Sequence, residues 1–205
     1  MMRRSMFNGP LILASKSTAR QALLKNAGFS FAIQSADLDE AQMISGLTHQ
    51  KIAADEIALH LAISKAKHVS KQNPQIYTLG GDQLLICEDQ IYSKPEHRPA
   101  AIEQLLQLSG RTHELYSAAA LILNEEIIIT ALSKARLTLR KMSRQQIEHY
   151  LDLAGSDVLQ CVGSYQLEGA GIHLFEHIEG DYWTILGLPL LELSRKMREL
   201  NLLAV

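Results

Sequence analysis

Leu11-Ile-Leu-Ala-Ser-Lys-Ser-Thr-Ala-Arg20 is the stretch on which the fold turns. Its apolar start, Leu11 to Ala14, has the length and composition of a short buried strand. Ser15 and Lys16 end the apolar run. Ser17 then has the character of a helix N-cap, because its hydroxyl can satisfy an orphan amide of the following turn. The helix it opens carries Leu23, Leu24 and Ala27 inward and stops at Gly28. A strand that feeds straight into a helix, in a chain whose elements keep alternating in type, predicts an α/β or α+β fold.

Working outward, Phe29 to Gln34 reads as a second strand, and the polar stretch Asp37 to Gly46 as a loop. The clearest helical pattern runs from about Thr48 to Lys71, with Ile57, Leu61, Lys65 and Val69 four apart on one stripe. Asn73-Pro74 ends it. Ile76 to Leu79 is a strand that enters Gly80-Gly81-Asp82-Gln83. Leu84–Cys87 and Gln90–Ser93 flank Glu88-Asp89 as a hairpin. Pro99 to Leu108 is a helix with Pro99 in its first turn. Leu115–Leu123 and Ile127–Leu139 are β-rich and predict long antiparallel strands around Asn124-Glu125. Ser143 with Gln146 forms a capping box for a further helix. Ser156 to Gly180 is punctuated by glycine, with one strand near Ile172 to Phe175. Gly187-Leu-Pro189 precedes a closing helix that reaches about Asn201.

Composition narrows the function classes. The 205 residues are 47% hydrophobic and 20% charged, enough to bury a core without a disulfide or metal staple and too apolar for disorder. The formal charge of −2 provides none of the basic field that a nucleic-acid binder needs. No run approaches the roughly 20 apolar residues of a membrane helix. Arg3 and Arg4 are not followed by a signal-like apolar segment, so a cytoplasmic protein without a leader is expected. Cys87 and Cys161 form no Cys-x-x-Cys pair, which fits a reducing compartment and excludes a zinc ribbon. Neither a Walker-type loop nor a Gly-x-Gly-x-x-Gly fingerprint is present.

Four features carry candidate chemistry, each beside a plainer reading. The turn after the first strand offers free amides, the hydroxyls of Ser15 and Ser17, and Arg20, which suits a phosphate; ordinary capping plus a surface arginine explains the same residues. Asp39-Glu40 offers oxygen ligands to a divalent cation, or is a solvated acidic pair. Lys65 must cross an apolar stripe, either to meet an anion or to reach solvent. Gly80-Gly81 permits close backbone approach, and Asp82 emerges at the C-terminal end of a buried strand, where α/β proteins bind ligands; a plain turn is the alternative. Lys94-Pro95 could add a second cation nearby. His173 and His177 read as exposed positions, and Cys161 as a buried inert thiol among Val158, Leu159 and Val162.

Taken together, the segments resemble the Maf family of nucleoside triphosphate pyrophosphatases. Leu11-Ile-Leu-Ala-Ser-Lys-Ser-Thr-Ala-Arg20 is similar to the family's opening motif, and Asp39-Glu40, Leu61-Ala-Ile-Ser-Lys-Ala66, Gly81-Asp-Gln83, Lys94-Pro95 and Leu108-Ser-Gly-Arg-Thr-His113 follow in family order. Glu179-Gly-Asp-Tyr182 and Leu186-Gly-Leu-Pro189 complete the set. The resemblance implies one domain over residues 1–205, an elongated mixed α/β sheet flanked by helices, with two lobes around a central cleft. It implies hydrolysis of a nucleoside triphosphate to the monophosphate and diphosphate, a divalent cation (Mg²⁺ or Mn²⁺), and a homodimer. By position it makes Asp82 the proton acceptor and Arg20, Lys65 and Lys94 its catalytic companions, with Glu40 and Asp82 toward the metal. Gln83, Cys161, Ser164 and Glu168 resemble the branch named for 7-methyl-GTP, and Ala19 is compatible with it. On that resemblance Ser15, Ser17, Ala19, Gln83 and Glu168 contact the substrate. The alternatives are a nucleotide-sensing regulator of septum formation with weak or no hydrolysis, and a housecleaning enzyme for other non-standard triphosphates.

Overall fold

In the computed structural model, which describes residues 5–205, the opening motif folds as its sequence predicts. Arg3 and Arg4 lie outside the described residues. Strand β1 (Leu11–Leu13) is fully buried and passes through the turn at Ala14 to Ser17 into helix α1 (Thr18–Asn26). Ser17 is the N-cap and accepts from the Arg20 amide at 3.4 Å. After α1 come strand β2 (Ala32–Ile33), helices α2 (Glu40–His49) and α3 (Ala54–Ser70), the long strand β3 (Tyr77–Cys87) and strand β4 (Gln90–Tyr92). Helix α4 (Arg98–Leu108), strands β5 (Thr112–Leu123) and β6 (Glu126–Leu139) and helix α5 (Arg144–Ala154) follow. Three 3-10 segments, Ser156–Gln160, Val162–Ser164 and Ala170–Leu174, lead to strand β7 (Phe175–Glu179), the short helix α6 (Tyr182–Ile185) and helix α7 (Leu190–Glu199). The strands pair in the order β2-β1-β3-β5-β6-β7, with β4 beside β3, as one seven-stranded sheet. β1 runs parallel to β2 and β3, while β3–β4 and β6–β7 are antiparallel, so the sheet is mixed.

The chain divides into two compact units. The first takes the chain up to Gln83, Ser117–Ser133 and Gly187–Val205. Its α3 buries the predicted stripe of Ile57, Leu61, Lys65 and Val69. The second takes Leu84–Tyr116 and Lys134–Leu186 and packs an apolar core in which Leu105 and Leu108 of α4 meet Leu137 of β6 and Ile147 of α5. Ser143 and Gln146 form the predicted capping box at the start of α5. Both predicted two-residue turns are present: Glu88-Asp89 and Asn124-Glu125 each hold two residues at positive φ, as tight hairpins require.

Five sequence readings need correction. Asp37 to Gly46 is not a loop, because Asp39 caps α2 by accepting from the Gln42 amide at 2.9 Å. The helix read from Thr48 is two helices, since Lys51 adopts a left-handed φ of 59° between α2 and α3. Phe29 to Gln34 contributes only two paired residues. Gly80-Gly81 is neither a turn nor the end of a strand but the middle of β3. The late strand starts at Phe175, and Ile172 belongs to a 3-10 segment.

Candidate active site

Four charged side chains meet in the first unit. Lys65 comes from the buried face of α3, and Asp82 from the centre of β3. Gly80 brings those two elements together: a Cβ there would sit 2.1 Å from the Ala62 carbonyl oxygen and 2.9 Å from the Ala66 Cβ, so only glycine lets β3 lie this close to α3. Two residues on, Asp82 Oδ1 accepts from Lys65 Nζ at 2.6 Å. The same nitrogen stands 2.8 Å from Glu40 Oε2, at the first residue of α2. Lys65 and Asp82 are only 8% and 5% exposed. The Glu40 side chain is half exposed.

Arg20 is also buried, which rules out the surface-arginine reading. Its Nε donates to the Gly187 carbonyl at 2.7 Å and its Nη1 to Ser15 Oγ at 3.2 Å. Ser15 Oγ also accepts from the Ser17 amide, so one hydroxyl ties the turn to the guanidinium. Gly81 leaves room for this arrangement: a Cβ there would be 3.2 Å from Arg20 Cδ and Nε. Gly187, at a φ of 99°, turns its carbonyl to the arginine in a conformation that L side chains rarely adopt. Gln83 donates to Ser117 Oγ at 3.0 Å. Ala19 is half-buried on α1.

Burial sets the electrostatics. It pushes the Asp82 carboxyl above the ordinary carboxylate range, against the pull of Lys65 and Arg20 in the other direction. Burial likewise lowers the Arg20 guanidinium from its usual value, while Asp82 and Glu40 oppose it. The guanidinium stays charged. The cluster is thus two cations and two acids, and an incoming polyanion would find the cations already fixed in place.

The remaining predicted residues lie in the second unit. Lys94, between β4 and α4, and Glu168, before the last 3-10 segment, are both exposed. They share a neighbour in Cys161, which is only half-buried. Its thiol is pushed up by burial and by Glu168, and pulled down by Lys94. Ser164 is fully buried and donates to Gln104 Oε1 at 2.6 Å. His173 and His177 are exposed, as read. Among the described residues, no group of three or more His, Cys, Asp or Glu side chains gathers as a metal cage. Sequence reasoning missed the Gly187 carbonyl, Ser117 and Gln104. Only Gly187 carried a signal, as the glycine before Leu188-Pro189. No described helix is long and apolar enough to cross a membrane.

Comparison with known proteins finds relatives over nearly the whole chain. A nucleoside triphosphate pyrophosphatase of Nitrobacter hamburgensis is 46% identical over 198 residues, 96% of each chain. A protein of the same name from Nitrobacter winogradskyi is 48% identical over the same share. A 7-methyl-GTP pyrophosphatase of Rhizobium meliloti is 44% identical over 191 residues, 93% of this chain and 96% of that one. Among solved structures, a nucleoside-triphosphatase (dITP/XTP pyrophosphatase) of Mycobacterium abscessus is similar over 94% of this chain and 96% of that one. At 14% identity and a TM-score of 0.44, that likeness is too weak to argue from. The family described as Maf-like protein matches residues 10–200, a span that includes every residue of the charged cluster and draws on both units, and the chain belongs to the Maf family.

Proposed function

We propose that the chain is a nucleoside triphosphate pyrophosphatase, a hydrolase of acid anhydrides that releases diphosphate and leaves the nucleoside monophosphate. The observation that carries this reading is the convergence of Glu40 and Asp82 on one nitrogen of Lys65, with Arg20 buried in the same unit. In the reaction, Asp82 takes the proton from the attacking water as it approaches the α-phosphorus. Burial suits it to that role, since a raised carboxyl is a better base near neutral pH. Lys65 and Arg20 neutralise phosphate oxygens and stabilise the departing diphosphate. Ser15 and Ser17 shape the turn that presents Arg20.

A divalent cation, Mg²⁺ or Mn²⁺, fits this donor set. Two hard carboxylates, Glu40 and Asp82, stand on either side of the Lys65 ammonium, and Mg²⁺ ordinarily takes one or two carboxylates, keeps waters and binds substrate phosphates. Glu40 and Asp82 are the residues that would hold it. When bound, such an ion withdraws negative charge from the phosphate oxygens.

Lys94 and Glu168 keep the roles implied by the resemblance, phosphate neutralisation and base reading, and Gln83 keeps the base-reading role that the resemblance gives it. We take residues 1–205 as one functional domain, with 7-methyl-GTP as its preferred class of substrate. A carboxylate at Glu168 suits a purine that N7-methylation has made cationic. Diphosphate release from 7-methyl-GTP, GTP, UTP, dTTP and ITP, with Mg²⁺ and again with EDTA, tests the reading. Turnover that needs the metal is expected, led by 7-methyl-GTP. Binding without turnover of any of the five would leave a nucleotide sensor instead. Glu168→Gln should lower the preference for 7-methyl-GTP over GTP, and an unchanged ratio would remove Glu168 from base selection.

A further inference from the structure

Gln104 is a buried amide on α4 that the reaction does not use. Its Nε2 donates to the Ser93 carbonyl at 2.8 Å, one residue before Lys94. Its Oε1 accepts from Ser164 Oγ at 2.6 Å. The orientation of the amide follows from its partners: a carbonyl can only accept, so the NH₂ must face Ser93 and the oxygen must face the hydroxyl.

The backbone at each end is constrained. Gly163 and Ser164 both have positive φ, 82° and 60°. A Cβ on Gly163 would stand 2.6 Å from the Tyr165 ring and 2.7 Å from Leu85. For serine, that φ persists only where its surroundings fix it, and Gln104 Oε1 does so by accepting from the buried Ser164 hydroxyl. At the other end Pro95 is buried, so the chain at Lys94 is held on both sides, by Gln104 through Ser93 and by the proline. Cys161, three residues before Ser164, lies in the field of both Lys94 and Glu168.

We infer that Gln104 is a positioning residue that locks the Ser93–Pro95 segment to the Gly163–Ser164 turn, and so sets Lys94 in register with the segment that carries Glu168. The inference rests on the pyrophosphatase reading, in which Lys94 meets substrate phosphate. Gln104 itself touches no substrate.

The test is a double-mutant cycle on diphosphate release, using the best substrate of the five-nucleotide panel. Gln104→Glu keeps the shape and the bond from Ser164 but sets an oxygen against the Ser93 carbonyl. It should lower kcat/KM about ten-fold, the equivalent of one neutral buried hydrogen bond. In a Lys94→Ala background the same change should cost almost nothing further, because Gln104 acts through Lys94. A purely structural role would give equal losses in both backgrounds, and that result overturns the inference while leaving the pyrophosphatase reading intact. Full turnover in Lys94→Ala alone would instead remove Lys94 from the chemistry, and the inference with it. If Gln104→Glu does not fold, as judged by circular dichroism, Ser164→Ala takes its place in the same cycle. A loss of about three-fold that vanishes in the Lys94→Ala background is expected; a loss that persists there overturns the inference.

Discussion

The two units hold their buried polar groups in opposite ways. In the first, the buried Lys65, Asp82 and Arg20 stand together with the half-exposed Glu40, and two acids share a single ammonium. In the second, Ser164, Gln104, His113 and Tyr165 are neutral and joined by directed hydrogen bonds. Burial holds His113 down at about 4, so the imidazole is neutral, and raises the Tyr165 hydroxyl far above its usual range. Charges can exchange partners when a polyanion arrives, because each cation attracts any oxygen. Neutral groups bonded in pairs do not, because each bond depends on its own donor and acceptor geometry. The first arrangement is suited to chemistry and the second to fixing backbone.

The comparison breaks first at Asp82. Asp82→Asn keeps the shape and removes the proton acceptor, so diphosphate release should fall by about 10²–10⁴ while the circular dichroism spectrum stays unchanged. Residual turnover near the parent level would move the base elsewhere. The activity of the parent should rise with pH through the raised carboxyl, because the deprotonated form is the base.

Gly80→Ala tests whether the charged cluster depends on backbone contact. Its Cβ would meet the Ala62 carbonyl, so β3 must shift from α3. A stability loss of about 3 kcal/mol in urea denaturation is expected, with activity falling as well. Gly81→Ala, whose Cβ would meet Arg20 Cδ and Nε no closer than 3.2 Å and Leu188 Cδ1 at 3.5 Å, should cost less.

The neutral network is read through pH. The His113 value in the fold lies below its unfolded value of 6.5. Stability from keeping it neutral is therefore fully present above about 6.5 and is lost as pH falls toward 4, amounting to about 3 kcal/mol in all. Thermal melting from pH 7 to 4 should show this slope, and His113→Phe should flatten it. An identical slope in the variant would assign the transition to other groups. The smallest effect is expected from Ser15→Ala. Arg20 keeps the Gly187 carbonyl, so melting should change by the equivalent of about 1 kcal/mol.

How much of this the sequence disclosed depended on distance along the chain. The strand–turn–helix at Leu11 to Arg20, the stripe of α3, the two hairpin turns and the Ser143 capping box are all local patterns, and all are present. Placing Lys65 on a buried stripe foretold that its ammonium must end beside an anion or in water, and it ends beside Asp82. The start of α2 was hidden because it has no apolar periodicity, although Asp39 with Gln42 three residues on was a readable cap. Gly80-Gly81 looked like a turn because glycine pairs usually mark one; the contact with Ala62 that demands it comes from another element. Arg20 to Gly187 and Gln104 to Ser164 span 167 and 60 positions, and nothing local predicts such pairs.

Helix α2 has no buried residue, yet its first residue is Glu40. With so little apolar surface removed from water, unwinding this helix requires far less free energy than opening β3 or α3. Of the two acids on Lys65, Asp82 is anchored in a buried strand and Glu40 sits half exposed on this helix. Amide exchange along residues 40–49 should therefore outpace that of the strand bearing Asp82.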